Sequence, residues 1–184
     1  MLTEEQREFL LSLARDAIKA AVAGTSPPEL DCGDEQLCEK SGAFVTIKRA
    51  GRLRGCIGQF TSDGPLWQTV RNMARAAAVE DSRFFHNPIQ PGEVDDLSIE
   101  VSVLSPLKRV TDPLDFELGV HGIYIKRGFQ RGCFLPQVAT ETGWSKEEFL
   151  TQCAAGKAGM PPDAWKQPDT EVYVFTAEII GQSE

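Results

Sequence analysis

The stretch GAFVTIKRAGRLRGCIGQF, from Gly42 to Phe60, decides how this chain is read. Gly42 to Lys48 and Arg52 to Phe60 are rich in strand-forming residues and are separated by Ala50-Gly51, a pattern that predicts a β-hairpin. The hexapeptide Leu53-Arg54-Gly55-Cys56-Ile57-Gly58 then lies on the second strand. Glycines inside a strand add no packing and cost conformational entropy, so Gly55 and Gly58 predict a bulge or a place where something approaches the backbone closely. Arg52 and Arg54 precede Cys56, and neighbouring cations make a reactive or anion-adjacent cysteine a reasonable reading. The competing reading is structural: Cys56 as a small buried hydrophobe and the glycines as shapers of a barrel-like bend.

Outward from the hairpin, the elements alternate without repeated βαβ units. Thr3 and Gln6 form a capping-box pattern, and Phe9, Leu10, Leu13, Ala14, Ala17, Ile18 and Ala21 recur at helical spacing, so a first helix should run to about Gly24. Ser26-Pro27-Pro28 and the acidic stretch after it read as a loop. Asp63-Gly64-Pro65 supplies a cap and an N1 proline for a helix ending near Glu80, before the loop from Asp81 to Pro88. Leu97, Ile99, Val101 and Val103 alternate with Ser98, Glu100 and Ser102, which gives a strand with Glu100 on its polar face. His121 to Ile125 and Gly132 to Leu135 predict a second hairpin around Arg127-Gly128. Pro136 to Thr142 reads as a short helix, and Ser145 with Glu148 caps another from Lys146 to about Ala155, with Trp144 and Phe149 placed as a hydrophobic staple. Val172, Val174 and Ile179-Ile180 predict one final strand. The fold class is α+β with mainly antiparallel sheets.

Composition sets the outer limits. The chain has 184 residues, 41% of them hydrophobic, enough to bury a core without disulfides or metal. One compact domain, or two small lobes sharing a cleft, is the expected size class. Apolar runs are broken well before the roughly 18 residues of a membrane span, and the acidic start Met1 to Gln6 is unlike a secretory signal. Five cysteines without paired spacing fit reduced thiols. These features place the protein in the cytoplasm. The spacing of Cys32 and Cys38 does not suit zinc, and no metal is expected. A net charge of -8 disfavours a general nucleic-acid binder. Charge is uneven, however: five acids and no base lie between Glu29 and Glu39, while four of the seven residues from Lys48 to Arg54 are basic, which leaves a local anion site open.

The segments GAFVTIK at Gly42 to Lys48 and LRGCIG at Leu53 to Gly58 resemble the hallmark of the AMMECR-one domain family. Further matches are Asp81 with Arg83 and Phe84, Glu100 to Pro106, His121-Gly122-Ile123, Leu135 to Ala139, Gly143-Trp144 and Lys157 to Gly159. The size resembles stand-alone prokaryotic members, including protein A of the AmmeMemoRadiSam system, which accompanies a Memo-like and a radical SAM protein. The resemblance implies a single AMMECR-type domain over residues 1–184, two-lobed, with the hexapeptide near a cleft. It implies no particular reaction or cofactor, because the family is defined largely without an assigned activity.

Two functional readings follow. In the first, an enzyme or cofactor-handling component, Cys56 is nucleophile or ligand, His121 base or second ligand, Glu100 acid, base or orienting group, and Arg54 the holder of a substrate anion. In the second, the LRGCIG surface docks a partner protein or a small anionic ligand without catalysis. The bland alternatives are that His121 caps a strand start and that Glu100 pairs with a neighbouring arginine. Nucleic-acid binding through the same patch is a third, disfavoured by overall acidity.

Overall fold

The first helix begins where its capping box predicts: Thr3 accepts from Gln6 N–H while the Gln6 side chain accepts from Thr3 N–H, and α1 runs Glu4–Ala23. Gly24 ends it in the left-handed conformation, with φ of 69°, where a glycine carries no Cβ penalty. The computed structural model describes residues 1–27, 30 and 32–181. Of the loop expected after Ser26, Pro28, Glu29 and Asp31 therefore lie outside the described residues, as do residues 182–184. The chain forms two units, one comprising Met1–Leu104 and the C-terminal residues from Glu178, the other Ser105–Ala177.

In the first unit β1 (Ala43–Arg49) and β2 (Arg52–Gln59) form the expected hairpin. Ala50 and Gly51 both have positive φ, 48° and 71°, as a two-residue turn between twisted strands requires. Helix α2 spans Leu66–Val79. Pro65 stands at its N-cap rather than at its first helical position, and no side chain caps it, so the predicted Asp63 cap is corrected. β3 is Leu97–Leu104. The sheet order is β2-β1-β3-β8, with β8 at Ala177–Gly181. Strand alternation sends Val45, Ile47, Ile99 and Val101 toward α1 and α2, where they meet Leu10, Ile18 and Val70 in one buried core. Thr46, Lys48, Ser98 and Glu100 alternate with those core residues and so point to the opposite face.

The second unit holds β4 (Lys108–Val110), β5 (Gly122–Arg127), β6 (Gln130–Phe134) and β7 (Glu171–Phe175) in the order β4-β7-β5-β6. Its helices are α3 (Pro136–Thr142) and α4 (Lys146–Gln152), the latter with the reciprocal Ser145–Glu148 box. A π-helical turn, Cys153–Lys157, carries the chain on from α4. Trp144 and Phe149 both pack on Phe134, with ring centroids 5.8 Å and 5.2 Å away. The single final strand predicted from Val172 to Ile180 is in fact two, in different sheets. Thr176 divides them: its N–H donates to Ser105 Oγ and its carbonyl accepts from Ser105 N–H, leaving β7 and β8 to pair separately. The whole is α+β, with two antiparallel sheets.

Candidate functional site

The glycines of LRGCIG are required by packing. A Cβ on Gly55 would lie 2.0 Å from the carbonyl oxygen of Ala77, because the backbone of α2 rests directly on β2 there. On Gly58 it would lie 2.2 Å from the Phe44 ring. The close approach predicted for this strand is thus made by the protein's own helix and ring. The predicted bulge is present too: Ile47 pairs with Gly55 but Lys48 with Leu53, which leaves Arg54 as the extra residue.

That bulge turns Arg54 into the interior. Only 9% exposed, its guanidinium donates to Glu93 Oε1 at 3.1 Å and Oε2 at 3.3 Å and to the carbonyls of Asn87 and Pro88. The hydrogen bond from Arg54, followed by that from Gln90 N–H, holds the Glu93 carboxyl down at about 2. Glu93 also pairs with Arg49. Arg54 therefore ties the hairpin to the segment from Asn87 to Glu93, and its charge is met inside the protein.

Cys56 is placed differently. It is partly exposed and pairs across the sheet with Thr46, whose hydroxyl lies 3.3 Å from its sulfur. Thr46 pairs on its other side with Glu100, so Cys56, Thr46 and Glu100 form one row across the face opposite the helices. Glu100, 18% exposed, lies 3.7 Å from Lys48 Nζ; its partner is this lysine and not an arginine.

β2 is the edge of its sheet, and an edge leaves backbone donors and acceptors without a strand. At Cys56 two side chains take that place. Its N–H donates to Asp81 Oδ2 at 2.9 Å, and its carbonyl accepts from the Arg83 guanidinium at 3.1 Å. Arg83 in turn grips Asp81 through two bonds of 2.9 Å and 2.7 Å. The Asp81 carboxyl is held at about 2, first by the Arg83 side chain and, against the cost of burial, by Cys56 N–H. Arg83 is pushed upward, chiefly by its hydrogen bond to Asp81. The Asp81 side chain is 4% exposed and that of Arg83 56%, so the pair presents its cation outward. Asp81 and Arg83 were legible only as family-matching positions; nothing local to them points to a partner 25 residues away.

His121 belongs to the second unit. Its Nδ1 accepts from Glu117 N–H at 3.1 Å and its own N–H donates to Glu117 O, so it closes the turn before β5. Among the described residues, no group of three or more His, Cys, Asp or Glu side chains could hold a metal ion. No helix among them is long and apolar enough to cross a membrane.

A family model named AMMECR1 matches residues 11–180. The chain belongs to the AMMECR1 family. It is 44% identical over 191 residues to a protein of Thermococcus gammatolerans, covering 97% of this chain and 91% of that one. Protein TK0174 of Thermococcus kodakarensis is similar at the same identity and coverage. The crystal structure of the uncharacterized protein PH0010 from Pyrococcus horikoshii superposes with a TM-score of 0.85 at 40% identity, over 97% of this chain and 92% of its own. In this AMMECR1 family member, LRGCIG is therefore a strand whose glycines admit a helix and a ring and whose cysteine is clamped at the sheet edge.

Proposed function

We propose that the Leu53–Gly58 segment forms a small-molecule site for an anionic ligand, centred on the Cys56 thiol. The observation that carries this reading is the Asp81–Arg83 clamp on Cys56. A backbone held at both its N–H and its carbonyl fixes the thiol, and the same guanidinium sets a half-exposed positive charge beside it. Thr46 supports the sulfur from across the sheet, and Glu100, one strand further in the same row, is the acid, base or orienting group. In the enzymatic form of the reading, Cys56 is nucleophile or ligand. The anion-holding role expected of Arg54 passes to Arg83, since Arg54 is buried against Glu93.

Alkylation of the folded protein tests this, with the modified thiols located by mass spectrometry. Relative to the urea-unfolded chain, Cys56 should react faster with anionic iodoacetate than with neutral iodoacetamide. Arg83→Gln should lower that preference about five-fold, since unit charges roughly 4 Å apart in water interact by about 1 kcal/mol. Arg83→Lys should restore most of it. No preference in the wild type, or a preference unmoved by Arg83→Gln, contradicts the reading.

A second reading has one observation of its own. Phe85 is 63% exposed and Val79 40%, beside a mainly apolar cavity of about 290 Å³ that also takes in Val22, Ala78, Phe84 and Ile89, with Arg54 and Asp81 in its wall. Such a patch suits a non-catalytic adaptor, for which the Memo-like and radical SAM proteins of the family resemblance are the candidate partners. Charge-selective alkylation that depends on Arg83 belongs to the first reading only.

A further inference from the structure

The second unit contains a cavity of about 470 Å³ that shares no residue with the Leu53–Gly58 segment. That volume lies in the range of small-ligand sites. Arg109 of β4 and Lys166 line it, together with Thr111, Trp165, Thr170 and Glu171. Three features distinguish it from an ordinary surface dent.

The first is its unbalanced charge. Neither Arg109 nor Lys166 makes an ion pair among the described residues, and Glu171 is the one carboxylate of the lining. Glu171 is itself engaged by the Tyr173 hydroxyl, whose hydrogen bond is the largest cause of its lowered pKa, with Arg109 and Lys126 lowering it further. The second feature is a rigid wall. Trp165 is 5% exposed and its indole N–H donates to Thr151 Oγ1 at 3.0 Å, while Lys166 Nζ lies 4.8 Å above its ring. The indole face thus holds the Lys166 ammonium at the cavity wall. The third is Thr170. It is 9% exposed, and its Oγ1 has no hydrogen-bond partner among the described residues. A buried hydroxyl without a partner costs free energy that a ligand acceptor recovers.

We infer that this cavity binds a small oxyanion, a phosphate or carboxylate group, between Arg109 and Lys166, with the Thr170 hydroxyl donating to one of its oxygens. Two cations against one engaged carboxylate favour an anion, and charge-assisted hydrogen bonds to oxygen are the strong contacts available there. The inference stands apart from the Cys56 site and does not depend on it.

The test is a titration of the full chain with inorganic phosphate and, separately, acetate. It is followed by amide and indole N–H resonances, with sodium chloride at matched ionic strength as control. Phosphate, acetate or both should give a saturable shift of the Trp165 indole and the Thr170 amide, and comparing the two shows which oxyanion is preferred. Arg109→Gln and Lys166→Gln should each weaken it about ten-fold, the factor that corresponds to about 1.4 kcal/mol. Unchanged melting of both free variants, with an unmoved Trp165 signal in free Arg109→Gln, identifies that loss as one of binding. Shifts that match those of chloride, that do not saturate, that appear only around Cys56, or that survive Arg109→Gln overturn the inference.

Discussion

Gly55→Ala should cost about 3 kcal/mol of stability and lower the melting temperature by roughly 6–12 °C, near the upper end of what overpacking does. The added methyl would sit 2.0 Å from the Ala77 carbonyl oxygen and 3.0 Å from its carbon. Both neighbours are backbone. The helix cannot move away cheaply, because Ala74, Ala77 and Val70 on α2 are buried against the core that β1 and β3 also enter. Gly58→Ala is a control within the same motif. Its methyl would meet the Phe44 ring at 2.2 Å and the Ala43 carbonyl oxygen at 2.7 Å, so it too should destabilise, by less than Gly55→Ala because its closest backbone contact is the longer one. Thermal denaturation followed by circular dichroism reads both. A Gly55→Ala protein that melts like the wild type contradicts the packing account of the motif.

Asp81→Asn should lower stability by about 2 kcal/mol at neutral pH, and the difference should vanish in acid. The folded carboxyl titrates at about 2, below the ordinary 3.8. A depressed carboxyl stabilises the folded state above the unfolded pKa and loses that contribution as pH falls through the folded one. The urea midpoints of wild type and variant should therefore be well separated at pH near 7 and converge as pH falls from about 4 toward 2. Comparing the two proteins at each pH removes the contributions of the other carboxylates, Glu93 among them. A gap that stays constant across that range would mean that Asp81 does not carry the clamp as an anion.

What the sequence made legible is what short-range physics specifies. The Ala50-Gly51 turn, the Thr3–Gln6 and Ser145–Glu148 boxes and the alternation in β3 all act between near neighbours, and each stands in the structure. The strand β4 is three residues long, too short to show a period, and it exists by pairing with β7 more than 60 residues later. The break at Thr176 depends on Ser105, which is 71 residues away. The same holds at the site. Glycines in LRGCIG signalled close approach, but nothing in the hexapeptide names α2 as the approaching body. The run from Lys48 to Arg54 read as four available cations; folding gives Arg49 and Arg54 to Glu93 and Lys48 to Glu100. The cation left beside Cys56, Arg83, comes from a loop that sequence proximity does not connect to it.

The central claim is that Cys56 is held accessible at the sheet edge, as a site and not as core filling. Time-resolved mapping of thiols in the folded full chain with a neutral alkylating reagent addresses it most directly. Cys153 is fully buried, with burial pushing its thiol strongly upward, and Cys133 is raised to about 11 by the same cause. The account predicts that Cys56 is modified while the protein remains folded and ahead of the partly exposed Cys133, whose raised pKa slows it, with Cys153 modified only on unfolding. A Cys56 that stays unmodified until Cys153 reacts would contradict it.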